Sequence, residues 1–301
     1  MKLFAILSIV AAACYAEARF SGKVVLVTGG SVGIGFATSM SFAREGARVV
    51  FCARDSNPSW YNGTFAATSI NADPEVIKNK GSARFVKADV SSRADVKALF
   101  ENIRNNEGTL DIAVNNAGIT GVIGNAEDIF GYYGTEYDPM PTNFYGTAYC
   151  TSLEVALWKE QNKDGVIVNV ASINGFKAAS DAPPYAASKH AVIGFTKSVA
   201  LENANTKPYI RCNAIAPGYT DTPLIWNQVK FMEDGKTQPW EGDYITHEHP
   251  LWKKYESMFV NPNGKIASPY DQADMILFLA SDSAKSITGV VMSVDGGFMA
   301  Q

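Results

Sequence analysis

Histidine and cysteine are both scarce, with 3 and 4 residues in a chain of 301. No Cys/His spacing of the zinc-binding kind occurs. His247-Glu248-His249 lacks the one-turn separation at which two histidines on a helix share a metal, so it reads as surface decoration and no metal site is expected. Basic charge is not in excess either. The 26 Lys+Arg stand against 30 Asp+Glu, a net charge of −4, which argues against a nucleic-acid partner, since binding a phosphate backbone calls for a basic face. Internal repeats and low-complexity runs are missing, so nothing points to a repeat architecture.

Long apolar runs are missing too, apart from one at the start. Lys2 is followed by an apolar and small stretch from Leu3 to Ala16, then by Ala16-Glu17-Ala18. The order is a basic region, an apolar region and a small-x-small cleavage site, as in a secretory signal peptide. The run falls short of the roughly 20 apolar residues that span a bilayer, so no membrane span is expected in the mature chain. Residues 1–18 are therefore set aside as a leader, and 19–301 form the folded part. Cys52, Cys150 and Cys212 remain, each in or beside an apolar stretch; they read as core residues and not as a disulfide framework. Asn62-Gly63-Thr64 is a glycosylation sequon, whereas Asn57-Pro58-Ser59 is excluded by its proline.

What the chain does have is an ordinary soluble balance, 47% hydrophobic and 19% charged, in a repeating order. Short β-branched runs (24–27, 49–52, 85–88, 110–114, 166–170, 210–215 and 290–294) alternate with helical periods at 34–45, 92–105, 147–159, 185–201 and 272–279. Apolar strands alternating with helices predict an α/β fold, a doubly wound parallel sheet of the Rossmann kind, in one domain. Two connections are longer than such folds need: 55–73, and Tyr219 to about Ala267, which carries Trp226, Phe231, Trp240, Tyr244 and Trp252. The second is expected to be a packed substrate lid.

The first strand runs into Thr28-Gly29-Gly30-Ser31-Val32-Gly33-Ile34-Gly35, and a helix follows. Glycines there allow a tight turn and bring the backbone close to a pyrophosphate at a helix N-terminus. The spacing is G-x-x-x-G-x-G, and further motifs follow in order: Asp89-Val90, Asn115-Asn116-Ala117-Gly118, Asn143, Ser172, Tyr185-Ala186-Ala187-Ser188-Lys189, Pro217-Gly218 with Thr222, and Asp295-Gly296-Gly297. From Gly22 to Gln301 the chain resembles the short-chain dehydrogenase/reductases. That resemblance implies cofactor contacts at Gly29, Ser31, Gly33, Ile34, Gly35, Asp89, Val90, Asn116, Ala117, Gly118, Pro217, Gly218 and Thr222. It also implies that Lys189 grips a nicotinamide ribose, that Asn143 holds a relay water, and that the protein assembles as a homodimer or homotetramer. Pro139 and Pro141 lie where the family continues a helix, so either the helix starts near Thr142 or Asn143 is displaced.

The chemistry also follows from the residues themselves. Tyr185 and Lys189 are i and i+4 on a helix and share one face. A nearby ammonium favours ionisation of a phenol and draws its pKa toward the range useful for proton transfer. Ser172 lies at the carboxyl end of a strand, where parallel sheets bind ligands, and can hold the substrate oxygen. Catalytic residues are thus Asn143, Ser172, Tyr185 and Lys189. The cofactor is read after the second strand, where NAD enzymes place an acid about 20 residues past the glycines. Here Ala53 and Arg54 stand, which favours a 2′-phosphate and hence NADP over NAD; Asp55 is the acid that would serve NAD.

The expected activity is an NADP(H)-dependent interconversion of a carbonyl and an alcohol, on an apolar small molecule if the aromatics of the lid line the pocket. Those aromatics pack a subunit contact or anchor the insertion if they do not. An NAD-dependent alcohol or polyol dehydrogenase, and a secreted binding protein without turnover, are the competing readings. A leader sits uneasily with a cofactor that is intracellular. A lumenal pool, an uncleaved tether or nucleotide carried outward would each reconcile them.

Overall fold

A computed structural model describes residues 18–54, 62–127, 129–226, 228, 253–254 and 256–301. The leader up to Glu17, Asp55, the Asn57 triplet, Phe231, Met232, Trp240, Tyr244, His247 to His249 and Trp252 lie outside the described residues.

Strands β1 (Val24–Thr28), β2 (Arg48–Ala53), β3 (Ser82–Lys87), β4 (Ile112–Asn115), β5 (Gly165–Val170), β6 (Ile210–Pro217) and β7 (Val291–Val294) form one sheet. Its order is β3-β2-β1-β4-β5-β6-β7 and every pairing is parallel. Helices α1 (Gly33–Arg44), α2 (Gly63–Asn71), α3 (Pro74–Lys78), α4 (Arg93–Glu107), α5 (Thr147–Glu160), α6 (Pro183–Asn203) and α7 (Pro269–Ala280) cover it. The parallel sheet needs both faces covered, and alternation along β1 shows how this is met. Val25 and Val27 pack with Phe42, Ile70, Val76 and Ile276 of α1, α2, α3 and α7; Val24 and Leu26 pack with Leu99, Ile103, Trp158 and Val199 of α4, α5 and α6. Among the described residues no helix is long and apolar enough to cross a membrane.

Two expectations change. The 55–73 connection contains α2, whose start is capped by the Asn62 side chain accepting from Thr64 N at 2.8 Å. The segment before α5 is neither a late helix start nor a displaced loop. Met140–Gly146 winds as a π-helical turn that runs directly into α5. The wider turn accommodates Pro141 near its start and still brings Asn143 inside.

Buried polar groups also shape the core. Arg211 is 5% exposed; its guanidinium donates to the carbonyls of Leu279 (2.7 Å), Ala280 (3.4 Å), Ser281 (3.3 Å) and Ile287 (3.3 Å), capping the end of α7. Between β4, β5 and α5, Asn115 Nδ2 donates to Asn169 Oδ1 at 3.1 Å and to Thr151 Oγ1 and Glu154 Oε2, each at 3.3 Å. Glu154 is fully buried, and loss of solvation pushes its carboxyl up to about 8. Cys52, Cys150 and Cys212 are free and buried, and burial raises the Cys52 thiol to about 12.

Candidate active site

The carboxyl ends of the strands open onto a cavity of about 360 Å³. After β1 the chain turns through Gly29 to Val32 into α1. Gly33 has φ +55°, a conformation open to glycine, and it lines the cavity with Gly29, Ser31 and Ile34. Val32, the cap of α1, offers no side-chain hydrogen bond, and the first turn carries no acid. Its unsatisfied N–H groups and the positive end of the helix therefore suit an anion. Gly35 does not line the cavity. A Cβ there would sit 2.1 Å from Gly29 O, so this glycine shapes the turn through close packing.

The turn is tied from below. Thr28 Oγ1 accepts from Asn116 N (2.9 Å) and Ala117 N (3.0 Å), while Asn116 Nδ2 donates to Thr28 O (2.9 Å) and Gly29 O (3.2 Å). Asn116 thus locks the end of β4 to the glycine turn, and Ala117 and Gly118 form the adjoining wall. Arg54 follows β2, and Asp89 and Val90 lie two and three residues past β3; all line the same end. Asp89 Oδ1 accepts from Ser91 N (2.9 Å) and Ser91 Oγ (2.7 Å). Pro217 ends β6, Gly218 and Thr222 follow it, and the three complete that wall.

Ser172, Tyr185 and Lys189 meet on the floor. Ser172 lies two residues past β5 and caps a short 3₁₀ turn by accepting from Asn174 N at 3.1 Å. Its hydroxyl favours the ionised form of the Tyr185 phenol. Lys189, 4% exposed, donates from Nζ to Val170 O at 2.9 Å, with its ammonium 5.7 Å from the Tyr185 ring centroid. Burial lowers Lys189 to about 8. Burial raises Tyr185, and the Ser172 hydroxyl offsets this only in part. The i, i+4 argument anticipated a phenol drawn downward by the lysine; desolvation inside the cavity is the larger effect and keeps the phenol protonated at neutral pH.

Asn143 is 1% exposed and stands one layer behind the cavity. Its amide accepts from Ile119 N (2.8 Å) and donates to Ile119 O (2.9 Å) and Ser188 Oγ (3.0 Å). Ser188 Oγ in turn donates to Tyr185 O at 2.7 Å. Ser188 and Thr28 were legible as motif letters and carried no assigned role. Spacing was the available signal for Ser188, three residues after Tyr185. The outer end of the cavity is lined by Asp181, Tyr219, Leu224, Ile225, Met258 and Phe259. Trp226 and Phe259 are buried there, with Ile225, in a small apolar cluster. No group of three or more His, Cys, Asp or Glu is arranged for a metal among the described residues.

A doubly wound sheet whose carboxyl edge joins an uncapped helix N-terminus to a Ser–Tyr–Lys cluster defines the class, an oxidoreductase built on a nucleotide-binding fold. The family model for short chain dehydrogenase matches residues 23–233. The chain is 38% identical over 283 residues to a 3beta-hydroxysteroid dehydrogenase of Mediterraneibacter gnavus, covering 93% of this chain and 96% of that one. It is 34% identical over 283 residues to an NADP-dependent (R)-specific alcohol dehydrogenase of Lentilactobacillus kefiri, covering 94% and 99%. The crystal structure of levodione reductase superposes with a TM-score of 0.76 at 30% identity, covering 94% of this chain and 99% of that one. The chain belongs to the short-chain dehydrogenase family and is an oxidoreductase of alcohols and ketones.

Proposed function

We propose that the protein is an NADP(H)-dependent oxidoreductase that interconverts an apolar ketone, of steroid, terpenoid or aromatic type, and its secondary alcohol. The observation that carries this is the meeting of Ser172, a protonated Tyr185 and Lys189 in one largely apolar cavity at the carboxyl edge of the sheet.

The pyrophosphate would lie against Gly29, Ser31, Gly33 and Ile34, the adenine against Asp89 and Val90, and a 2′-phosphate against Arg54. No carboxylate stands at Ala53 to repel that phosphate. A bound nicotinamide nucleotide supplies or accepts the hydride at the substrate carbon. The remaining work falls to the chain. The Ser172 hydroxyl holds the substrate oxygen, and the Tyr185 phenol gives that oxygen a proton in reduction and takes it back in oxidation. The Lys189 ammonium lies beside the ring and stabilises the phenolate left after transfer. Asn143 fixes Ile119 and, through Ser188, the backbone at Tyr185. Its backbone carbonyl accepts from Thr147 Oγ1 at 2.8 Å, and the residue would hold a relay water. A secretory leader at 1–18 and a homodimer or homotetramer belong to the same proposal, supported by the Lys2 and Leu3–Ala16 pattern and by the family.

The test is titration of the full chain with NADPH and NADH. Tighter NADPH binding that Arg54→Ala weakens about tenfold or more, without altering NADH, supports the phosphate reading. Equal or tighter NADH binding overturns it and leaves the NAD-dependent alcohol dehydrogenase in its place.

A further inference from the structure

The outer end of the cavity carries a charge that the proton transfer does not use. Asp181 lines this end, and its carboxylate has no hydrogen-bond or ion-pair partner among the described residues. Its backbone is fixed: Gly124 N donates to Asp181 O at 2.8 Å, and Ala182 leads into Pro183 at the start of α6. Tyr219 lines the same end, its ring held edge-on by Phe259 at 5.5 Å and Phe298 at 5.8 Å. Burial raises the Tyr219 hydroxyl, and the negative charge of Asp181 adds to that rise.

The surrounding wall is apolar, formed by Ile123, Ile173, Leu224, Ile225, Met258 and Phe259. The described cationic residues that line the cavity are elsewhere. Arg54 follows β2 at the opposite end, and Lys189 is bonded to Val170 O on the floor. Asp181 is exposed, so its charge is screened by water and acts on groups close to it at the cavity mouth.

We infer that Asp181 is a specificity-determining residue, and that the substrate is a carbonyl compound whose distal end is neutral or cationic; compounds with a carboxylate there are turned away. This rests on the reading of the cavity as a site of carbonyl reduction. At the partly solvated dielectric of a cavity mouth the charge is worth about three- to tenfold in kcat/KM between a carboxylate and its neutral isostere.

The experiment uses the full chain and one aryl ketone in two forms, the methyl ester and the free carboxylate, with the rate of nucleotide oxidation as the readout. The ester-to-acid ratio of kcat/KM in the wild type is expected to shrink about three- to tenfold in Asp181→Asn and to fall further in Asp181→Lys, mainly through KM of the acid. Raised ionic strength is expected to narrow the wild-type ratio in the same direction. A ratio that Asp181→Asn leaves unchanged, with both rates lowered together, marks a structural role and overturns the inference. Turnover of neither form by the wild type overturns the apolar-ketone reading on which the inference rests, a different result from turnover of both without discrimination.

Discussion

Replacing Glu154 by Gln should make the protein more stable at neutral pH while removing most of its loss of stability between mild acid and mild base. The carboxyl is fully buried, bonded through Oε2 to Asn115 and without a partner at Oε1. Its folded value, about 8, stands above the 4.5 of a free glutamate. A raised value means that its contribution is intact below about 4.5 and is lost as pH rises through about 8. Over that window the unfolded chain ionises while the folded chain holds its proton. The accumulated penalty is about 3 kcal/mol at neutral pH and about 5 kcal/mol above pH 8, an upper bound because local relaxation admits water. Gln mimics the protonated acid, with an amide that can face the unpartnered Asn115 Oδ1. Lys189 does not confuse the measurement. Its folded value is lowered to about 8, so its linkage acts from there upward to the ordinary lysine value. Urea unfolding of both proteins from about pH 5 to about pH 8 is the assay. Parallel pH slopes for the two would refute the reasoning, because the carboxyl would then be solvated in the native state.

Four further outcomes follow. Tyr185→Phe should lower kcat by about 10²–10⁴-fold while leaving NADPH affinity within about threefold; retained turnover would remove Tyr185 from proton transfer. Nucleotide affinity should decline as pH rises through about 8, where Lys189 loses its charge, and Lys189→Met should be weaker but flat over the same range; an identical profile in the variant would place the titration elsewhere. Gly35→Ala places a methyl 2.1 Å from Gly29 O and should cost about 1–3 kcal/mol along with nucleotide binding, read by thermal unfolding with and without NADPH; a neutral substitution would show that the turn yields. Arg211→Met strips the bonds from the carbonyls at the end of α7 and should destabilise by about 3 kcal/mol or more in urea; an unchanged midpoint would mean that water replaces the guanidinium.

Most of the architecture was legible because it depends on local pattern. The apolar strands, the glycine turn after β1 and the i, i+4 pair at Tyr185 and Lys189 need no knowledge of what packs against them. The departures lie where tertiary context decides. The 55–73 stretch reads as a long connection, yet Gly63 is packed against the Phe85 ring and Gly63–Asn71 form α2. Pro139 and Pro141 signal an interrupted helix, and only the bonds from Asn143 to Ile119 and Ser188 show why the interruption becomes a π turn. The direction of the Tyr185 shift depends on how much water the cavity excludes, which no spacing encodes. Asp181 and Glu154 are single acids with no motif around them, and their significance comes wholly from the neighbours that the fold supplies.

The base of the long segment after β6 has a consequence for how such a protein diversifies. Thr220 and Ala267 pair across its neck, with Asp221 N donating to Ala267 O and Ala267 N to Tyr219 O, each at 2.9 Å. Asn261 adds a second clasp, accepting from Tyr219 N at 3.0 Å and donating to Tyr219 O at 2.8 Å. A loop fastened at its root is entropically tolerant of length, each doubling costing only about 0.6 kcal/mol. The segment's length can therefore change at small entropic cost. Its length and lining can drift under selection for new substrates, while the glycine turn and the Ser–Tyr–Lys floor, built from other stretches of chain, stay as they are.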